Sequence, residues 1–501
     1  MATDRTSPAD DRTDRAHLVT EGQPDRLRLS RAVGIWLAGV GLALFLGLLA
    51  WQARNWAAPL AVIAVLLVGA YYARVLGFQV GSVVLLIVTS IEDRFTFPVG
   101  PVALRAEQVA VLFASAVLIA AVVRRPRKEL LRPSLAEGFL LAWFVLGVVN
   151  SLIGSPDPRL SAKNLVLLAV TFVVVFLPRR LLAGRQAAEQ MEAVVRWLLI
   201  AFATEAGYGT LAYLVHVLGP TTSISPNPAS GYLSAYGTLW EQNVFGAYCA
   251  AGLVAWAYLG PRRFRHAWLG LALCVGGLAD SLTRAAWLAA ATVGGLGLVL
   301  GGLRQRVDGR VLAQGSIAGL VLVAATLAVD RSGRYSVPIP HAAGGGSPGP
   351  VATGFMAAIM NRVDLLGRLN QFGLVWDDLH GHLLFGRGTA SFEFLHQGGG
   401  RPEHIASLPL LILEDTGLTG LALFAAFVVA LFLKTWSRRE IELVVALGQV
   451  GLVIAIANLA TQTTELMVDW LLIGLLVAAA TLMPGRGSDP RTEGSAPPGS
   501  A

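Results

Sequence analysis

Charge is what this sequence has least of: Asp, Glu, Lys and Arg make up 14% of its 501 residues, whereas 54% are hydrophobic. So few charges cannot clothe a water-soluble domain. Repeated apolar stretches of about seventeen residues or more are long enough to cross a bilayer. They lack the strict alternation of barrel strands, which excludes a transmembrane β-barrel. Helices remain, because backbone in hydrocarbon must satisfy its own hydrogen bonds. Cysteine is almost missing. Cys249 and Cys274 both fall inside apolar stretches, where a thiol behaves as a small hydrophobe, so neither a disulfide nor a thiol nucleophile is expected. The carboxylates Asp377, Asp378, Glu393 and Glu403 have no recognisable ligand spacing, so no metal and no other cofactor is expected. The chain enters its first apolar stretch near Val33 without a small-residue cleavage site, so this stretch reads as a retained helix, not a signal peptide.

What is present is an all-α polytopic membrane protein of about 12–14 transmembrane helices. The chain divides into a disordered cytoplasmic N-terminus (1–32), a first set of spans (33–329), one large loop (330–407), a second set of spans (408–483) and a disordered cytoplasmic tail (484–501). Candidate spans include Val33–Trp51, then Ala57–Ala73 and Val75–Ile91 around a tight hairpin at Arg74, and the short stretches Lys163–Leu177 and Ala267–Asp280. A cytoplasmic N-terminus puts the clusters around Arg124, Arg179, Arg262, Arg304 and Arg438 on the cytoplasmic side, as the positive-inside rule requires. Both termini are then cytoplasmic, the protein is a multi-pass protein of the cytoplasmic membrane, and the large loop lies outside. This placement accounts for the formal charge of +7 without an anionic partner, and nucleic-acid binding is not indicated. Within the loop, His341–Pro350 is rich in Gly and Pro, whereas Met356–Leu379 has apolar residues at helical spacing and reads as an amphipathic helix.

Three segments stand out. Asp280-Ser281-Leu282-Thr283-Arg284-Ala285-Ala286-Trp287 sets an arginine at the outer mouth of a helical hairpin. The loop helix carries Arg362 and Arg368 and runs into a Leu384-Phe385-Gly386-Arg387-Gly388 turn. Some residues after His404, the membrane is re-entered through Glu414-Asp415-Thr416-Gly417-Leu418-Thr419-Gly420. Together these resemble the O-antigen ligase and O-antigen polymerase superfamily, with its Ser-x-x-Arg-x-x-Trp helix start, its Arg-led loop helix ending in a Pro-Leu-hydrophobic-Gly-x-Gly turn, and its histidine before a Glu-x-Gly-x-x-Gly helix. The resemblance covers about Asn227 to Gly420. Leu383 stands where the family has proline, Asp415 where it has glutamate, and His404 is set about two residues further from Asp415 than the family's histidine.

The resemblance implies a GT-C-like membrane glycosyltransferase, metal-independent and inverting, that moves a glycan from undecaprenyl diphosphate to an acceptor hydroxyl on the outer face. The acceptor is a glycan or a lipid-linked sugar, and the sequence leaves ligase and polymerase open. Guanidinium groups stay charged and donate paired hydrogen bonds to phosphate oxygens, which suits Arg284 and Arg368 to a departing diphosphate. The plainer alternatives are an interfacial, snorkelling Arg284 and a solvated helix face for Arg368, with Arg362 as the competing choice. Histidine suits the proton transfer from an acceptor hydroxyl, and His404 is placed for it, with His380, His382 and His396 as rivals. Arg387, Asn243, Asn227, Glu205 and Asp415 are the further substrate-binding candidates; Glu205 is an ionisable group within a span, either lining a channel or bonding a neighbouring helix. The rival function is a transporter or flippase of lipid-linked glycans, for which the internal repeat of many transporters is not evident.

Overall fold

The computed structural model describes residues 57–90, 96–99, 102–124, 132–184, 186–218, 234–239, 241–299, 307–330, 362–398, 401–402, 404–461 and 466–483. The candidate span Val33–Trp51, both termini, Asn227 and His341–Pro350 lie outside them. The first membrane region holds α1 (Ala57–Leu76), α2 (Phe78–Ser90), β1 (Thr96–Val99), β2 (Val102–Arg105), α3 (Ala106–Arg124), α4 (Leu135–Gly154) and α5 (Pro158–Leu181). It continues with α6 (Ala187–Leu218), α7 (Gln242–Arg263), α8 (Ala267–Asp280), α9 (Arg284–Val299) and α10 (Gly309–Asp330). The loop region contributes α11 (Arg362–Asp378), the short α12 (Ser391–Leu395), β3 (Gln397–Gly398) and β4 (Arg401–Pro402). The chain then re-enters as α13 (Leu408–Trp436), α14 (Glu442–Asn458) and α15 (Met467–Leu482). The strands form two antiparallel pairs, β1 with β2 and β3 with β4, so the ordered elements among the described residues are helical apart from two small hairpins.

Seven of these helices are long and apolar enough to cross a membrane, and five shorter apolar segments accompany them. The protein is therefore membrane-embedded. The tight hairpin expected at Arg74 falls at Gly77 instead, where φ is +84°, and the stretch expected to end at Leu177 continues to Leu181. Asp157 caps that helix by accepting from the amides of Arg159 and Leu160, so it starts earlier than hydropathy alone suggests. Likewise Ser134 and Glu137 form a reciprocal capping box at the start of α4.

Lipid removes most of the hydrophobic drive between helices, so close packing and small residues must hold them together. Gly270 lies against the Trp256 indole and Gly277 against the Cys249 thiol, bringing α7 and α8 together. A second layer joins α4, α5, α13 and α15 around Trp143, Phe172, Phe427 and Trp470, with the Phe172 and Trp470 rings 4.8 Å apart. On α10, Ile317, Leu320 and Val321 are exposed, as a lipid-facing surface requires.

Candidate functional site

Near its start α13 is broken. Gly417 adopts φ 65°, ψ −167°, which interrupts the helical ladder and releases backbone groups that cannot stay unpaired inside a membrane. The turn Leu383–Thr389 supplies their partners. The amides of Arg387 and Gly388 donate to the carbonyls of Glu414 (2.8 Å) and Asp415 (3.0 Å), and the amides of Leu418 and Thr419 donate back to those of Leu383 (2.9 Å) and Leu384 (3.1 Å). A side chain at Gly417 would collide with the Leu384 backbone, and one at Gly386 would lie 2.5 Å from the Glu414 carbonyl oxygen. Helices α4 and α5 clamp the turn from the other side. Asn150 donates to the Phe385 carbonyl, Ser151 Oγ accepts from the Thr389 amide at 2.9 Å, and Ser161 Oγ donates to the Thr389 carbonyl at 2.5 Å. The two glycine-bearing sequence motifs are thus the halves of one structural joint. Arg387 and Asp415 sit in it: the Arg387 side chain donates to the Asp378 carbonyl, and Asp415 is buried.

From this joint the loop builds a recess. Arg368, on α11, donates to the Ala460 carbonyl just beyond α14. One turn on, Gln371 donates to the His404 carbonyl at 2.9 Å and accepts from the Ala406 amide at 3.1 Å, so one helix fixes both Arg368 and the segment carrying His404. His404 Nδ1 lies 2.8 Å from Glu393 Oε1, with the imidazole well exposed and the carboxylate less so. Both line a cavity of about 50 Å³ that Asp415 also reaches, room for water but not for a sugar. Of the rival histidines, His396 pairs with Asp378 at 2.6 Å, His380 contacts the Asp377 carbonyl, and His382 is exposed.

A further carboxylate faces this group. Glu241, the residue before α7, has an exposed side chain and accepts from Asn243 Nδ2 at 2.8 Å. Burial is the largest influence on it and raises its pKa; the Asn243 hydrogen bond and the charges of Arg368 and His404 pull it back down. Arg284 joins from the adjoining turn: Thr283 Oγ1 donates to the Gln242 carbonyl at 2.9 Å, and Arg284 follows as the exposed first residue of α9. That turn is strained, since buried Leu282 has φ 54°, a conformation unfavourable for any residue with a Cβ. The Ala235 amide, donating to the Asp280 carbonyl at 2.8 Å, and the Trp287 indole, donating to the Leu278 carbonyl at 2.8 Å, hold it. Ala390, at the start of α12 and three residues before Glu393, is likewise at positive φ. Backbone strain of this kind concentrates at functional sites.

Arg368, His404 and Asn243 are therefore grouped around Glu241, and Arg284 follows a turn bonded to the neighbouring Gln242. Arg362 begins α11. Glu205 is placed elsewhere: it is buried and accepts from the Thr238 amide (2.7 Å) and hydroxyl (2.9 Å), pinning the segment before α7. No group of three or more His, Cys, Asp or Glu suited to a metal occurs among the described residues. Sequence reasoning missed the partnership of Glu393 with His404, and it took in Glu241 only as part of the polar Trp240-Glu241-Gln242-Asn243 step, a binding candidate at an outer helix mouth. Glu393 lies eleven residues from His404 across a hairpin, and no local spacing signals that pairing.

A groove of about 1280 Å³ runs between α13, α14 and α15, lined by Phe424, Phe427, Leu452 and Ile473. One end is marked by Leu408, Leu459 and Asp469, next to the segments that carry His404 and hold Arg368; the other is marked by Arg262, Trp436 and Arg439. The seventeen residues of α14 correspond to roughly 25 Å of this length. Comparison with known protein families and with curated proteins finds no match.

Proposed function

We propose that this protein is a membrane glycosyltransferase of the O-antigen ligase or polysaccharide polymerase kind, transferring a glycan from undecaprenyl diphosphate to an acceptor hydroxyl on the outer face of the cytoplasmic membrane. The observation that carries the reading is the grouping of Arg368 and His404 around Glu241, with Arg284 after the adjoining turn, near one end of a large, mostly apolar groove. A lipid diphosphate needs both parts. Its headgroup calls for fixed guanidinium groups at the membrane boundary, and its prenyl chain is longer than one leaflet and calls for a groove on the order of the hydrocarbon thickness.

In the proposed step the acceptor oxygen attacks the anomeric carbon, the bond from that carbon to the phosphate oxygen breaks, and its electron pair leaves on the diphosphate. Arg284 and Arg368 stabilise the charge that develops there. His404 takes the acceptor's proton, and Glu393 at 2.8 Å orients the imidazole. Attack opposite the leaving group inverts the anomeric configuration. The termini and the arginine clusters near Arg179, Arg262 and Arg438 are assigned to the cytoplasmic side on charge distribution.

The test is incubation of purified protein with undecaprenyl diphosphate-linked glycan and an acceptor, without nucleotide sugar or added metal. New glycosidic bonds with release of undecaprenyl diphosphate support transfer. Movement of the lipid between leaflets without new bonds would establish the flippase reading instead.

A further inference from the structure

Building on the transferase reading, we propose that Glu241 and Asn243 form the acceptor subsite, a hydrogen-bonding pair that holds vicinal hydroxyls of a neutral sugar and turns the attacking one toward His404. Three observations lead there. Glu241 is exposed and fixed by its 2.8 Å bond from Asn243, so its carboxylate is accessible and held in a defined orientation. It stands within electrostatic reach of both Arg368 and His404, the groups assigned to leaving group and proton transfer. Thr283, bonded to the Gln242 carbonyl at 2.9 Å, ties the same step of chain to the turn that presents Arg284.

The sign of the charge selects the ligand. A diphosphate seated on Arg284 and Arg368 repels a carboxylate in contact with it, so Glu241 is unsuited to the donor's headgroup. A carboxylate only accepts hydrogen bonds and an amide both donates and accepts, and sugar hydroxyls do both. The pair therefore complements a neutral polyol. The raised proton affinity of Glu241, caused first by burial, fits a carboxylate that receives a partner bringing no charge.

The test uses full-length protein in nanodiscs, glycan-bearing undecaprenyl diphosphate extracted from the producing cells as donor, and a panel of neutral p-nitrophenyl glycosides as acceptors. Glu241→Gln should raise the acceptor KM by about 10–100-fold, the loss expected for hydrogen bonds to a charged group. Donor affinity, measured directly, should stay within about twofold, because the subsite carries no donor contact. Asn243→Ala should shift KM in the same direction, and Glu241→Asp should lie between. An unchanged acceptor KM in Glu241→Gln, or an equal weakening of donor binding, would overturn the assignment while leaving the transferase reading intact. A wild-type protein that transfers to none of these acceptors, nor to lipid-linked glycan, would overturn the transferase reading and this subsite with it.

Discussion

Gly417 and Leu384 meet backbone to backbone: the Thr419 amide two residues beyond the break donates to the Leu384 carbonyl at 3.1 Å, and a Cβ on Gly417 has no room beside it. This contact fastens the loop to the membrane bundle. Gly417→Ala must force a side chain into the left-handed region and push the turn away, at a cost of about 1–3 kcal/mol from backbone strain alone. The expected outcome is a lower thermal unfolding temperature in detergent together with reduced transfer, whereas Gly373→Ala, at an open position on α11, leaves both in place. Equal unfolding temperatures for the two variants would contradict the joint.

A second prediction concerns the opposite end of the bundle. Glu137 is fully buried and pairs with Arg179 at 3.0 Å and with Arg180 at 2.6 Å, besides capping α4. Breaking a buried ion pair from one side leaves charge uncompensated and costs about 3–5 kcal/mol. Glu137→Gln should lower stability by that order, read by thermal unfolding, while the turnover of the protein that remains folded is unchanged. A specific-activity loss matching that of the recess variants would link this cluster to chemistry and refute the separation.

Arg284→Ala and Arg368→Ala should each reduce transfer by roughly 100-fold or more, as loss of a preorganised partner of the leaving group does, without loss of expression or membrane insertion. Arg368 also donates to the Ala460 carbonyl, so its variant needs a melting measurement beside the assay. His404→Ala should reduce turnover by about 100–10,000-fold, the usual contribution of a general base, and Glu393→Gln should lower it less. Full activity in any of the three alanine variants removes that residue from the reacting site.

Much of this arrangement was legible in the sequence, and the gaps have physical causes. Apolar length revealed the helices because burial in lipid imposes a coarse, local requirement. The order of Arg284, Arg368 and His404 along the chain singled out these three residues, and the fold sets Arg368 and His404 near Glu241. The motif glycines were visible, but their pairing was not: Gly386 and Gly417 meet through backbone contacts that no spacing encodes. Arg387 and Asp415 also take part in the joint through their backbone, bonded to Glu414 and Gly388, which their place in the motifs does not reveal. Glu205 was noticed as a charge in a span, and only the fold reveals that Thr238 is its partner.

Acidity should affect the acceptor more than the donor. Burial raises the Glu241 pKa, so its carboxylate is neutralised at a higher pH than the ordinary glutamate value of about 4.3. As pH falls through that raised value, the group gains a proton and accepts hydroxyl hydrogen bonds less well. The acceptor KM should therefore climb in wild type before ordinary glutamates titrate, and Glu241→Gln should start high and lose the dependence. A wild-type KM that stays flat down to the ordinary glutamate range would contradict this.

The most direct measurement is equilibrium binding of undecaprenyl diphosphate, undecaprenyl monophosphate and undecaprenol to the protein in nanodiscs. The account predicts that the diphosphate binds tightest and the alcohol weakest, with a spread of about tenfold or more from paired guanidinium contacts, and that the Arg284→Ala/Arg368→Ala double variant loses the spread while still binding the prenyl chain. Equal affinity for all three lipids in the wild type, or an undiminished preference in the double variant, would contradict it.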